Sequence, residues 1–190
     1  MNATAERAIA DGERLVGATV YLRLLEMSDC GERYLTWLRD PEVNRFLETR
    51  WVEQTESTIR DFVTEMRRGP DNYLFGIVLV ETDRHIGNIK VGAVNHIHKH
   101  CEVGYFIGDR EMWGKGIATE AIRLATQFAF ERLGLHRCAA VVDVDNPASA
   151  KALERVGYKR EGTMREKLFM DGRWNDQYLY GLLRADFKHL

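Results

Sequence analysis

Residues 113–118, Trp-Gly-Lys-Gly-Ile-Ala, join a segment with the composition of a strand to a segment with the periodicity of a helix. The apolar residues of 118–133 repeat at helical spacing, which predicts an amphipathic helix starting directly after the two glycines. Glycine leaves no Cβ over the backbone amides, and the first amides of a helix have no partner within it. With the helix dipole and the charge of Lys115, these amides predict a phosphate or pyrophosphate site.

The two common phosphate fingerprints do not fit this loop. A P-loop requires lysine and a hydroxyl residue where Ile117 and Ala118 stand, and the dinucleotide motif requires a final glycine where Thr119 stands. A Gly-x-Gly before a helix is also common as a tight turn. On these residues alone, a plain strand-to-helix turn and a phosphate loop of another kind both remain open.

Length and composition predict one compact domain. The chain has 190 residues, of which 45% are hydrophobic, and we expect an arm or a short extra helix over residues 1–17 and a single domain over 18–190. A formal net charge of −2 argues against a nucleic-acid partner. No apolar run approaches the ~20 residues of a membrane span, so we expect no membrane partner and a cytoplasmic location. Three widely spaced cysteines predict buried, reduced thiols.

The order of predicted elements defines the fold class. Strands are predicted at 19–25, 73–81, 85–94, 101–108, 137–144, 158–170 and 174–183, and helices from Ser28 to Asp40, at 55–68, at 118–133 and up to Val156. Asp171-Gly172 marks the turn of the last hairpin. We therefore predict a mixed α/β fold, with a single central, mostly antiparallel twisted sheet of about seven strands flanked by about four helices.

The connector at 40–51 is rich in large and charged side chains. Asn44, Arg45, Arg50 and Trp51 are candidate substrate-binding residues, because loops on a rigid scaffold often carry recognition. A loop anchored by its aromatic residues explains the composition equally well.

Histidines at 96, 98 and 100 suggest a metal site only weakly. No Cys, Asp or Glu lies in that segment to complete a ligand set, and a polar loop entering a strand explains the pattern. We expect no metal.

Three stretches together carry a family pattern: 114–121 (Gly-Lys-Gly-Ile-Ala-Thr-Glu-Ala), 146–149 (Asn-Pro-Ala-Ser) and 154–162 (Glu-Arg-Val-Gly-Tyr-Lys-Arg-Glu-Gly). The chain resembles the GCN5-related N-acetyltransferases over nearly its whole length. The likeness is closest to the branch of ribosomal-protein alanine and amino-sugar acetyltransferases. The resemblance implies an enzyme, an N-acetyltransferase that uses acetyl-CoA as co-substrate, and a sheet whose central strands splay apart.

The resemblance also implies how acetyl-CoA is held. The glycine loop would wrap the pyrophosphate with backbone amides, and the pantetheine arm would pair with residues 105–108 as an added strand. The family usually carries Gln or Arg where Trp113 stands, so we expect the backbone to hold the phosphate. The cofactor-binding residues implied are Phe106, Ile107, Gly108, Trp113, Gly114, Lys115, Gly116, Ile117, Ala118, Thr119, Asn146 and Ser149.

Transfer to an amine requires a base and a donor for the thioester carbonyl. A free alkylamine, with a pKa near ~10.4, is protonated at neutral pH. Related enzymes carry a glutamate where Glu102 stands, and Glu102, Gly104 and Phe106 share one face of the predicted strand. Glu102 is therefore the predicted base, with a solvated edge carboxylate as the alternative. A strand amide near Ile107 is the candidate carbonyl donor.

The remaining catalytic candidates are Asn146 and Ser149. Asn146 matches the family asparagine near the thioester. Leu153 stands where many relatives have a tyrosine that acts as the general acid. Ser149 resembles the serine that contacts the sulfur in the ribosomal-protein branch. Helix capping is an equal explanation for Ser149.

Three functions follow from these residues. The first is acetylation of a small amine such as an amino-sugar nucleotide, the second is acetylation of a protein N-terminus, and the third is a CoA-binding module with weak catalysis. For the aromatic residues of the last hairpin, a homodimer face and burial in the sheet both remain open. These aromatic residues are Phe169, Trp174, Tyr178 and Tyr180.

Overall fold

The computed structural model describes residues 8–188. Eight strands and five α-helices lie in this part of the chain. They are β1 Leu15–Val16, β2 Val20–Leu24, α1 Glu32–Arg39, α2 Pro41–Asn44, α3 Glu56–Arg67, β3 Tyr73–Leu79, β4 His85–Asn95, β5 His100–Ile107, α4 Ile117–Glu131, β6 Arg137–Asp143, α5 Pro147–Val156, β7 Lys159–Met170 and β8 Arg173–Leu183. The predicted mixed α/β class is confirmed. The prediction of about seven strands and about four helices did not include β1 and α2.

One sheet contains all of these strands, in the order β1-β2-β3-β4-β5-β6-β8-β7. The described neighbours pair antiparallel except β5 and β6, which are parallel. β5 and β6 pair over three residues each, His100 to Glu102 with Arg137 to Ala139. Beyond Glu102 the two strands have no further pairs, so the predicted splay of the central strands is confirmed.

The sheet is covered differently on its two faces. α4 packs its apolar side on one face, where Phe128 contacts Tyr73 and Phe75 with ring centroids 5.0 and 5.3 Å away. α1 and α3 cover the other face beside β2 and β3, through a second cluster that includes Tyr34 and Trp37. Two cores on opposite faces therefore fix β5 between them.

Two local predictions were wrong near α1. Gly31, not Ser28, is the N-cap of α1, and the preceding residues Met27–Asp29 form a 3₁₀ turn. Residues 40–51 are not a plain loop but begin with α2, because the Asp40 side chain caps this helix by accepting from the Glu42 amide. Proline at the first position of α2 fits this helix start, since its φ is already near the helical value. A 3₁₀ turn over Glu48–Trp51 completes the connector.

The first described residues contribute a strand rather than a helix. Leu15–Val16 pairs with β2, and Ile9 is buried in the main core. The Thr19 amide donates to Glu120 Oε1 in the first turn of α4 at 2.8 Å. Residues 1–7 lie outside the described part, and the boundary at residue 18 stays a prediction.

Gly108 provides a test of the packing between β5 and α1. A Cβ at this position would overlap the indole ring of Trp37, which is buried. We expect Gly108→Ala to lower the free energy of unfolding by about 1–3 kcal/mol, because overpacking forces neighbours to shift. Urea denaturation measures the change.

Gly104→Ala is the matched control. A Cβ on Gly104 would meet no described atom within 4 Å, so we expect a change within about 0.5 kcal/mol. Equal losses in the two variants would contradict the packing assigned to Gly108.

Candidate active site

The loop before α4 leaves its backbone amides open. Gly114 and Gly116 have φ of 74° and 81°, in the left-handed region that favours glycine. Gly116 is the N-cap of α4 and provides no side-chain acceptor, whereas Asn146 caps α5 with its side chain. The first amides of α4 therefore lack a side-chain cap, and the space over Gly114 and Gly116 is open. Lys115 lies between them and has no ion-pair partner among residues 8–188. This geometry fits a phosphate group.

Trp113 ties this loop to the end of β5. Its indole Nε1 donates to the carbonyl oxygen of Ile107 at 2.8 Å. The sequence predicted only the loss of a polar side chain at Trp113. The structure shows in addition that the indole fixes the position of the loop relative to the strand.

Beyond Glu102, β5 and β6 are separated by a gap. The edge of β5 presents a limited set of backbone groups to this gap between the two strands. The Gly108 amide donates back to Ile86 of β4 at 2.9 Å, and the Ile107 oxygen is taken by Trp113. Since backbone groups of a strand alternate between its two neighbours, the Ile107 N–H and both backbone groups of Tyr105 point toward the gap. These groups are where an added strand would pair. The Ile107 N–H stays the predicted donor for a carbonyl.

Glu102 lies at the last residue pair before the strands diverge. It pairs with Gly92 on β4 and with Ala139 on β6, and its side chain is exposed. Next on the same face is the open position of Gly104, followed by Phe106, whose ring packs against Tyr34 with centroids 6.0 Å apart. The carboxylate therefore faces an open strip of sheet beside the gap.

Asn146 and Ser149 lie in the first turn of α5, on the far side of the gap. Asn146 Oδ1 accepts from the Ser149 amide at 3.1 Å. The Ser149 hydroxyl is 2.7 Å from the Tyr105 hydroxyl, which can also donate to the Ser149 carbonyl oxygen at 3.2 Å. Leu153, at the family tyrosine position, is fully buried in the core.

The Tyr105 side chain was missed by reasoning from sequence. Alternation along the strand places it with Cys101 and Val103, which are core residues. Its partner is 44 residues away, so only the packing of α5 across the gap reveals the contact.

Two of the four candidate substrate residues use their polar atoms inside the protein. Asn44 Nδ2 donates to the Leu38 oxygen at 2.8 Å. Arg50 donates to the Arg45 oxygen and forms an ion pair with Asp171 at 2.8 Å. Arg50 therefore joins the connector to the turn of the β7–β8 hairpin.

An open cavity of about 440 Å³ lies beside the connector. Asn44 and Arg50 line it together with Leu38, Arg39, Thr49, Val52, Glu53 and Gln54. Arg45 and Trp51 do not line it. Trp51 is 57% exposed and lies under the Arg50 guanidinium, 4.5 Å from the ring centroid.

The other motifs have structural partners. His96 Nε2 lies 3.0 Å from Asp71 Oδ1, and the described residues contain no cluster of three His, Cys, Asp or Glu side chains placed to hold a metal. Tyr180 is buried, whereas Phe169 and Trp174 form an exposed pair at the hairpin end. Over residues 8–188, no helix has the length and apolar character needed to cross a membrane.

A model of the acetyltransferase (GNAT) domain matches residues 19–159. The chain belongs to the GNAT acetyltransferase family. It is therefore an acyltransferase, and the family resemblance read from residues 114–162 is confirmed.

Individual relatives support this placement. The chain is 31% identical over 179 residues to the probable N-acetyltransferase YjcK of Bacillus subtilis, covering 90% of this chain and 98% of YjcK. It is 35% identical over 102 residues to the putative ribosomal N-acetyltransferase YdaF of the same organism, covering 54% and 55%. The crystal structure of spermidine N-acetyltransferase from Vibrio cholerae, in complex with CoA and spermine, superimposes with a TM-score of 0.79 at 23% identity, covering 88% and 97%.

The glycine loop yields a prediction about anion binding. Gly116→Ala places a Cβ beside the open amides and strains the left-handed backbone. We expect the affinity for CoA to fall about tenfold or more, equivalent to about 1.4 kcal/mol. Isothermal titration calorimetry with CoA measures the loss.

Gly134, just after the other end of α4, provides the matched control. Its φ is 63° and it also has open surroundings, so Gly134→Ala carries a similar strain of about 1–2 kcal/mol. We expect the two variants to lose similar stability and only Gly116→Ala to lose affinity. Unchanged CoA affinity in Gly116→Ala would exclude the loop as the phosphate site.

Proposed function

We propose that the protein is an acetyl-CoA-dependent N-acetyltransferase that transfers the acetyl group to a primary amine by direct attack on the thioester. The observation that carries this proposal is the uncapped start of α4, which lies beside a β5 edge with free backbone groups. A protein of the same fold holds CoA. Three free, buried cysteines fit a reducing compartment, and the proposal includes a cytoplasmic location.

Each predicted residue has one task in this reaction. The amides from Gly114 to Thr119 hold the pyrophosphate, and the edge of β5 pairs with the pantetheine amides. The Ile107 N–H donates to the thioester oxygen as charge develops on it. Glu102 removes the proton of the amine directly or through water, and Ser149 contacts the sulfur, with Asn146 holding the first turn of α5.

The acceptor we propose first is a small amine such as an amino-sugar nucleotide. Arg45 and Trp51 support it, because both are exposed and offer charge and a stacking surface. Asn44 and Arg50 would then act by shaping the connector, since their polar atoms have internal partners.

A protein N-terminus is the second candidate acceptor. Apolar side chains surround the junction of the connector with the hairpin, where Trp51, Phe169 and Trp174 are 57%, 57% and 61% exposed. Such a surface fits a macromolecular acceptor. The relative YdaF is named a putative ribosomal N-acetyltransferase.

Thiol release from acetyl-CoA tests the function and ranks the acceptors. Amino-sugar nucleotides, peptides with free N-termini and polyamines are offered at equal concentration, and we expect release above background with one class. Polyamines are included because the structural neighbour was solved with spermine. If CoA binds but release stays at background with every amine, the chain is a CoA-binding module and the proposed reaction is wrong.

The role of Glu102 predicts a specific pH dependence. We expect Glu102→Gln to lower kcat/KM about 100-fold or more at neutral pH, because a positioned base contributes at least that factor. The deficit should shrink toward pH 9.5, since a larger share of the amine, with a pKa near ~10.4, is then already deprotonated. Initial rates across this pH range measure both effects.

Glu65→Gln provides the control for this prediction, since Glu65 is an exposed residue of α3. It should leave the pH profile unchanged. A deficit in Glu102→Gln that stays constant with pH would show that Glu102 is not the base.

A further inference from the structure

The hydrogen bond between Tyr105 and Ser149 spans the gap in the sheet. It joins β5 to the first turn of α5, with 2.7 Å between the two hydroxyl oxygens. Tyr105 packs against the main core, so its ring is held by neighbours. The contact lies between the two elements that would hold the thioester end of the co-substrate.

We infer that Tyr105 is a positioning residue whose hydroxyl donates to Ser149 Oγ and so turns the Ser149 proton toward the sulfur of the departing thiolate. This inference rests on the proposed function, because it requires a thiolate beside Ser149. It assigns to the Tyr105 side chain a role that the family pattern does not give.

The hydroxyl protons and their acceptors together decide the direction of the bond. Tyr105 has one proton and two acceptors on Ser149, Oγ at 2.7 Å and the backbone carbonyl oxygen at 3.2 Å, of which Oγ is the nearer. Ser149 has one proton, which it donates either to Tyr105 or to the sulfur. When Tyr105 is the donor, the Ser149 proton is free for the sulfur. A thiolate carries a charge and accepts only, and hydrogen bonds to charged acceptors are about twice as strong as neutral ones. The departing thiolate therefore selects the direction from Tyr105 through Ser149 to sulfur.

Tyr105 does not act as an acid in this arrangement. Burial raises the pKa of Tyr105 to about 12, whereas ordinary thiols have a pKa near ~8.5. Proton transfer from Tyr105 to the thiolate is therefore uphill. The N–C bond forms, the C–S bond breaks, the electron pair stays on sulfur and the amine proton goes to Glu102. The thiolate leaves hydrogen-bonded, which is consistent with Leu153 at the family tyrosine position.

The test compares two leaving groups. Acetyl-seleno-CoA releases a selenolate, which is less basic than a thiolate and needs less stabilisation. We expect Tyr105→Phe to lower kcat about tenfold and Ser149→Ala about ten- to hundredfold with acetyl-CoA, and both to lower it much less with acetyl-seleno-CoA. The double variant should be no slower than Ser149→Ala, because the two residues act in series.

A second readout needs no turnover. The ultraviolet absorbance of the thiolate, titrated with CoA bound, reports the acidity of the bound thiol. We expect the bound thiol of the wild-type protein to be about tenfold more acidic than that of Tyr105→Phe and about ten- to hundredfold more acidic than that of Ser149→Ala, matching the losses in kcat. Ser149→Ala leaves the Tyr105 ring in place, so it tests the same chain of hydrogen bonds if Tyr105→Phe folds poorly.

Tyr158→Phe is the matched control, because it also removes a buried hydroxyl, which bonds to Thr126 at 2.9 Å. This variant should leave unchanged the ratio of kcat with acetyl-CoA to kcat with acetyl-seleno-CoA. If Tyr105→Phe slowed the reactions of acetyl-CoA and acetyl-seleno-CoA equally and left the thiol titration unchanged, Tyr105 would have only a packing role. That result would overturn this inference and leave the proposed function standing. A wild-type protein that binds CoA but releases no thiol above background with any amine would overturn the proposed function and this role together.

Discussion

The three residue pairs between β5 and β6 are the constraint on which the rest of the structure depends. They join the antiparallel half β1–β5 to the half formed by β6, β8 and β7. Cys101 and Cys138 face each other in this pairing, with buried thiols 3.6 Å apart. α4 provides the crossover that two parallel strands require. Because pairing ends at Glu102, β5 keeps free backbone groups along the gap, and the candidate residues Glu102, Asn146 and Ser149 lie beside it.

Local sequence patterns predicted most of this fold. The hydrophobic periods of α3, α4 and the long strands were readable because the side chains that face the core recur at regular spacing. The glycine loop and the Asp171-Gly172 turn were readable because glycine allows backbone conformations that other residues avoid. The missed elements are short. β1 has two residues and α2 has four, so neither is long enough to show a period. The start of α1 was misplaced because Ser28 and Asp29 bond within the preceding turn instead of capping that helix. The Ser28 hydroxyl donates to Glu26 Oε2, and the Asp29 carboxylate accepts from Arg23 and the Glu26 amide.

The candidate site could be predicted where its parts are contiguous in sequence. The loop at 113–118, Glu102 on β5 and the start of α5 each form a short motif. The contacts that link them were not predictable, because they depend on packing between distant elements. Arg50 meets Asp171 across 121 residues and Tyr105 meets Ser149 across 44. Trp113 shows the same limit at short range, since its bond to Ile107 depends on how the loop folds back on the strand.

The two halves of the proposed chemistry lie on opposite faces of the sheet. Glu102 is on the face of Phe106, which packs toward α1, whereas Tyr105 points to the face covered by α4. In a closed sheet these side chains would be separated by backbone. In the proposed reaction, one thioester would reach both through the gap between β5 and β6, with the amine on the side of Glu102 and the sulfur on the side of Ser149. Such a separation would keep the amine proton away from the leaving thiolate, so that deprotonation and thiolate release would be assisted by different residues.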